Sequence, residues 1–157
     1  MGGDIKSFDE IEAEFQRRVQ RIAWASVATM DRQGRPRTRI LHPIWEGSTG
    51  WILTNRHSHK EKHLAGNPYV SVSYWDPQHE QIHIDAKAEW ADEMPDKRRI
   101  WELYKNTAPP LGYDPALIWN GGVETEELGL LKLSPWRVEL WSIGDMAGGM
   151  KPRVWRP

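Results

Sequence analysis

Arg39 lies in an extended run, and Lys60 stands behind Ser58 and His59 at the start of a short helical segment. Thr54 and Asn55 come just before that segment, and Gln81 heads a later strand-like run. A guanidinium grips phosphate bidentately, an ammonium acts as a point charge, and the free amides of a helix N-terminus attract negative charge. Thr54, Asn55 and Gln81 add hydrogen bonds without adding charge. Together these groups suit a flat ligand that carries a phosphate. Each residue also has a plainer reading. An Arg on a strand usually faces solvent or pairs with a carboxylate, Thr-Asn favours strand ends and turns, and Gln81 fits an exposed strand start. It is the joint placement that points to a ligand.

The histidines suggest a different chemistry. His59 and His63 are spaced to share one helix face, and His57, His79 and His83 lie nearby in sequence. In the helical zinc motif, however, a Glu follows the first His. Here Lys60 takes that place, and its cation disfavours a divalent ion, so no metal site is expected. The chain has no Gly-x-Ser-x-Gly elbow for nucleophilic hydrolysis. No side chain is assigned as a catalytic acid or base, with Tyr113 and His83 the only guesses.

Positioning these groups requires a series of strands. Ser7 to Glu10 has the capping-box spacing, and Phe8, Ile11, Phe15, Val19 and Ile22 form one apolar stripe, predicting a helix over 7–22. Trp24–Thr29 and Arg37–Ile44 flank the turn-rich Asp31–Gly34 and read as a hairpin, with Pro36 at a strand start. Trp51–Thr54 makes a third strand. Ser58 to Glu61 repeats the capping spacing, and Gly66-Asn67-Pro68 stops the helix after about two turns. Tyr69–Trp75 and Gln81–Trp90 are strands, Pro95–Tyr104 is a helix, and Asn106–Pro115 is a loop. Asp114-Pro115 opens a short helix ending near Gly121. Leu130–Leu133 and Trp136–Ser142 complete six or seven mostly antiparallel strands, and 143–157 is either a lid or a tail. This pattern predicts a mainly β fold with peripheral helices, a small closed or partly closed barrel in one domain spanning 1–157.

Composition sets the limits. A chain of 157 residues buries a core without staples. It has no Cys, hence no disulfide, thiol nucleophile or thiolate metal site. A net charge of -1 gives no nucleic-acid footprint. Without a long apolar run or a leader-like start, neither a membrane partner nor a targeting segment is expected, and a cytoplasmic location is the default. Ten Trp are many for one small barrel and suggest core or subunit-interface roles.

The ordered set of motifs resembles the pyridoxamine 5′-phosphate oxidase-like, FMN-binding split-barrel superfamily, which includes flavin- and deazaflavin-dependent oxidoreductases. The resemblance rests on 34–41, Leu53-Thr54-Asn55, Ser58-His59-Lys60, Asn67-Pro68, 81–89 and 134–141. It implies a six- or seven-stranded antiparallel split barrel. It puts Arg39 and Lys60 on the cofactor phosphate, with Ile40, Leu41, Asn55, Ser58 and His59 around the cofactor. Thr54 would lie beside the ring, Gln81 would hydrogen-bond to it from a facing strand, and Trp141 would form an aromatic wall. A homodimer with the cofactor between subunits is implied as well.

This chain also departs from the pattern. Ile44 stands near where the oxidase proper carries a second strand cation, and His59 replaces an Arg. Gly144–Gly149 occupies the region of the oxidase's Arg-x-His substrate signature, which argues against vitamin B6 oxidation. Three readings follow: an FMN-dependent oxidoreductase of a small molecule; a deazaflavin-dependent reductase whose acidic cofactor tail meets Lys151, Arg153 and Arg156; and a non-catalytic binder of flavin or haem.

Overall fold

A computed structural model describes residues 3–157. After a two-residue strand, β1 (Asp4–Ile5), helix α1 (Asp9–Ile22) buries Ile11, Phe15 and Val19 completely or nearly so, as its apolar stripe requires. Only half of the capping box forms. The Glu10 carboxylate accepts from the Ser7 amide at 3.0 Å, while the Ser7 hydroxyl reaches the Asp9 amide at 3.4 Å. The barrel strands begin with β2 (Ala25–Met30) and β3 (Pro36–Leu41), joined by a turn in which Gly34 adopts φ +74°. Pro36 takes the first position of an edge strand, where its missing amide is harmless.

The expected single strand Arg37–Ile44 is divided. Pro43 lies between β3 and β4 (Ile44–Glu46), and a proline has no amide to give a ladder. β4 forms a hairpin with β5 (Thr49–Asn55). A Cβ on Gly50 would come within 2.7 Å of the Trp45 ring, so the hairpin closes against that indole only with glycine. Helix α2 (His59–Gly66) is two turns long, as expected, and leads into β6 (Tyr69–Trp75) and β7 (Glu80–Trp90).

Helix α3 (Met94–Asn106) and a 3₁₀ turn (Pro115–Leu117), capped by the Asp114 carboxylate, precede β8. The two expected last strands are one strand, β8 (Leu128–Ser142). Pro135 does not end it, because the register with β7 shifts at Asp85/Ala86, directly opposite Pro135, and a bulge accommodates a proline. The tail is ordered: α4 (Ile143–Ala147) leads to β9 (Arg153–Trp155), which pairs with β8 and, in parallel, with β1. Trp155 packs on Phe8 with ring centroids 5.0 Å apart. The C-terminus is therefore part of the sheet rather than a lid.

The described strands form one open sheet in the order β1-β9-β8-β7-β6-β2-β3, with β5 and β4 continuing from the first half of β8. Six of them match the expected strands, and β1, β4 and β9 are short additions. The fold is the expected mainly β split barrel with peripheral helices. Its interior is filled by Phe15, Val19, Tyr74, Ile82, Ile84 and Leu140. A second apolar cluster under α3 joins Ile44, Trp51, Leu53, Ile100, Tyr104 and Trp119. Among the described residues no helix is long and apolar enough to cross a membrane.

Candidate functional site

Successive side chains of a strand point to opposite faces. On β3, Arg37 and Arg39 are directly opposite the buried Thr29 and Val27 of β2, so they share the face on which α2 packs. Arg39 is half-buried and its Nη1 donates to the Val27 carbonyl at 3.0 Å. Helix α2 is tied to β2 by a 2.8 Å hydrogen bond between Thr29 Oγ1 and His63 Nδ1. This contact brings the helix start against the edge strand. The result is a cleft of about 270 Å³ lined by Arg37, Thr38, Arg39, Ser58, His59, Lys60 and His63. Arg39, Ser58, His59 and Lys60, all expected from the sequence to meet a cofactor, therefore converge.

The electrostatics of this cleft are unbalanced. Lys60 is 7% exposed, and its Nζ donates to Ser58 Oγ at 2.8 Å. Burial, then the Arg39 charge, hold the Lys60 ammonium below its ordinary pKa. Arg39 is lowered by burial and by Arg37, and His63 by burial and then Arg39. No carboxylate contributes to the shift of either Lys60 or Arg39. Desolvated cations that repel one another and lack an acidic partner favour an anion in the cleft.

The remaining residues around the expected ring position fall into a second, apolar cleft of about 630 Å³. Ile40, Leu41, Thr54 and Asn55 line it, together with Trp24, His42, Tyr113 and Trp119. The two clefts share no lining residue, but they draw on neighbouring stretches of the chain: Ile40 follows Arg39 on β3, and Asn55 lies three residues before Ser58. Thr54 is buried at the end of β5, and Asn55 Oδ1 accepts from the His57 amide, shaping the turn into α2. The His42 ring is tilted against Trp24 at 4.5 Å and against Tyr113 at 5.1 Å, with its Nε2 placed 2.7 Å from the Leu111 carbonyl. Burial lowers the His42 pKa despite that carbonyl and pushes Tyr113 up to about 12.

Gln81 and Trp141 line neither cleft. They face each other across β7 and β8, next to the buried Ile82 and Leu140, so their side chains lie on the outer face of the sheet. The two Arg18 Nη1 bonds, each 2.8 Å, fix their carbonyls in place. His83 is on the same face, 3.1 Å from Gln81 Oε1, and so also lies away from both clefts. Of the two guesses for an acid, the structure puts Tyr113 on a cleft. Two of the three basic residues of the tail pair within the chain: Arg153 with Glu14, and Arg156 with Asp4. His59 and His63 do share a cleft, but among the described residues no group of three or more potential ligands gathers for a metal ion.

Sequence reading missed Arg37, His63, Trp24, His42 and Trp119 as cleft residues. Arg37 and His63 were legible in principle, two residues from Arg39 on one strand and three from Lys60 on one helix. For the aromatic wall the only signal was the long loop 106–115, since such loops tend to carry function.

A profile of the pyridoxamine 5′-phosphate oxidase family matches residues 11–142. A pyridoxine/pyridoxamine 5′-phosphate oxidase of Bacteroides thetaiotaomicron is 30% identical over 138 residues, 73% of this chain and 64% of that protein. The chain spans 31%, 64% and 58% of the length of three such curated relatives. Among solved structures, a protein from Clostridium acetobutylicum related to general stress protein 26 superimposes with a TM-score of 0.75 at 12% identity, covering 94% of this chain and 95% of its own. A pyridoxamine 5′-phosphate oxidase-related, FMN-binding protein of Nostoc punctiforme gives 0.64 at 16% identity, covering 89% and 86%. The heme storage protein of Vibrio cholerae gives 0.59 at 19%, covering 80% and 89%. At these identities the structural likeness speaks to the fold alone.

Proposed function

Because the chain belongs to the pyridoxamine 5′-phosphate oxidase family, we propose that it is an FMN-dependent oxidoreductase acting on a small molecule. The observation that carries this reading is Lys60: an ammonium 7% exposed, beside Arg39, at a helix start and without a carboxylate to neutralise it. An isolated buried charge is costly, so such an arrangement is best explained by an anionic ligand. The phosphate of FMN would lie between Arg39, Lys60 and the first amides of α2. The ring would extend over Thr54 and Asn55 along Ile40 and Leu41 into the apolar cleft. When bound, the flavin supplies hydride or electron transfer, and the residues of this chain bind it, orient it and exclude water from it.

The reading includes a homodimer. Gln81 and Trp141 reach a cofactor in these clefts only if a second copy of the chain brings them there. The outer face that carries them also exposes Tyr69 and Trp75, whose large apolar surfaces suit a subunit contact. The oxidase activity of the curated relatives is not carried over, because Gly144–Gly149 stand where the oxidase proper has its Arg-x-His substrate signature.

The test compares FMN with riboflavin, which lacks the phosphate. Arg39→Ala and Lys60→Ala should each weaken FMN by roughly 1.5 to 3 kcal/mol, the range for hydrogen bonds to charged groups, and leave riboflavin nearly unaffected. Equal losses for both flavins in a fluorescence titration would remove the phosphate from this cleft.

A further inference from the structure

The apolar cleft beyond Thr54 and Asn55 differs in chemistry from the cradle beside it. No Lys or Arg lines it, and the one charged side chain on its wall is Glu127. Burial keeps His42 neutral at physiological pH, and Tyr113 holds its proton up to about 12. The rim is unusually apolar: Trp24 is 57%, Ile40 61%, Leu117 80% and Ile118 60% exposed, four large hydrophobic residues lining one cavity. An anion entering here would lose its hydration and meet no cation, only the charge of a carboxylate.

Two polar groups are positioned on that wall. The short contact of His42 Nε2 with the Leu111 carbonyl requires the proton on Nε2, which leaves Nδ1 as an acceptor. Tyr113 owes its raised pKa to burial alone, and no hydrogen bond engages its hydroxyl among the described residues, so the phenol has a donor to offer. Around them, Trp24, His42 and Tyr113 stand with successive ring centroids 4.5 and 5.1 Å apart. Apolar walls with a few convergent polar groups are typical of sites that bind and orient small molecules.

We propose that this end of the cleft is a substrate site for an uncharged, flat aromatic molecule. Tyr113 and His42 determine specificity by hydrogen bonds to its polar edge, while Trp24, Leu117 and Ile118 cover its faces. The inference rests on the flavin reading in one respect, that the cofactor ring takes the Thr54–Asn55 end and leaves this end free. It excludes phosphorylated and other anionic substrates.

The experiment uses the full chain saturated with FMN and two probes with the same ring system, naphthoquinone and naphthoquinone sulfonate, followed by quenching of tryptophan fluorescence. Naphthoquinone should bind at least about tenfold more tightly than its sulfonate, given the cost of desolvating an unpaired charge. Tyr113→Phe should weaken naphthoquinone several-fold through loss of one hydrogen bond. Ile118→Lys, at an exposed position, should narrow or reverse the preference by pairing with the sulfonate. Equal affinity for the two probes, no binding of either, or a preference unmoved by Ile118→Lys would overturn the substrate site. A separate FMN titration of the same protein distinguishes the two readings. Failure to bind FMN overturns the cofactor reading, after which the probe titrations on the FMN-free chain still decide the character of the cleft.

Discussion

Lys60 holds a charge where its surroundings disfavour one, and this has two consequences that are opposite in sign. In the ligand-free protein its pKa is depressed, so the folded state binds protons less readily than the unfolded chain. Stability therefore rises with pH between the lowered value and the ordinary 10.5. Lys60→Met should accordingly stabilise the ligand-free protein, by about 1 kcal/mol as is common when a functional charge is removed, while abolishing the preference for FMN over riboflavin. Denaturant melts of both proteins check the first part, and a destabilised variant would count against it. With ligand present, the affinity for FMN should increase as the phosphate loses its second proton near about pH 6. It should then fall as pH climbs through the lowered pKa of Lys60. A flat affinity profile across the alkaline range would mean that Lys60 does not touch the phosphate. Arg39 and Lys60 were legible in the sequence because their types and their neighbours already suggested a ligand. His42 was not, because its neutrality comes from burial by residues distant in the chain.

At the level of elements, the site depends on how β3 and α2 are held. The turn before β3 needs the left-handed conformation of Gly34 at φ +74°. Gly34→Ala should cost about 1 to 2 kcal/mol, and it should also weaken FMN by loosening the edge strand that carries Arg39. Thermal melting and FMN titration on one preparation test both effects. Helix α1 contributes through packing. Phe15 is fully buried and meets Trp45 edge-on at 5.3 Å, so Phe15→Ala should destabilise by about 3 to 5 kcal/mol, measured by chemical denaturation. These elements could be read from local pattern, since capping residues, apolar spacing and turn glycines are local signals. The divided strand at Pro43 and the unbroken β8 through Pro135 were misread because the effect of a proline depends on strand pairing. Pro43 falls between β3 and β4, which pair with different strands, whereas the register shift between β7 and β8 accommodates Pro135.

On the scale of the whole molecule, the outer face of the sheet is the unfinished part. Trp75 is 54% exposed there, on the strand next to the one carrying Gln81. If the proposed homodimer forms through this face, Trp75→Arg should shift the protein toward monomer in sedimentation and weaken FMN at the same time. Loss of the dimer with undiminished FMN affinity would place the whole cofactor site within one chain. The tail belongs to this scale too, since β9 joins β1 across nearly the full length of the chain.

Sequence alone determined the alternation of the strands, the amphipathic first helix, and a pair of cations placed to meet near a helix start. Each is written in spacing a few residues long, because backbone geometry repeats over that range. Tertiary structure decided which groups share a cavity. It put four expected cofactor residues in a basic cleft and four in an apolar one, and turned Gln81 and Trp141 to another face. It also assembled an aromatic wall from Trp24, His42, Tyr113 and Trp119. Burial, desolvation and the absence of a carboxylate arise only when distant segments pack together, and those are what fit a pair of basic residues to hold an anion, as proposed.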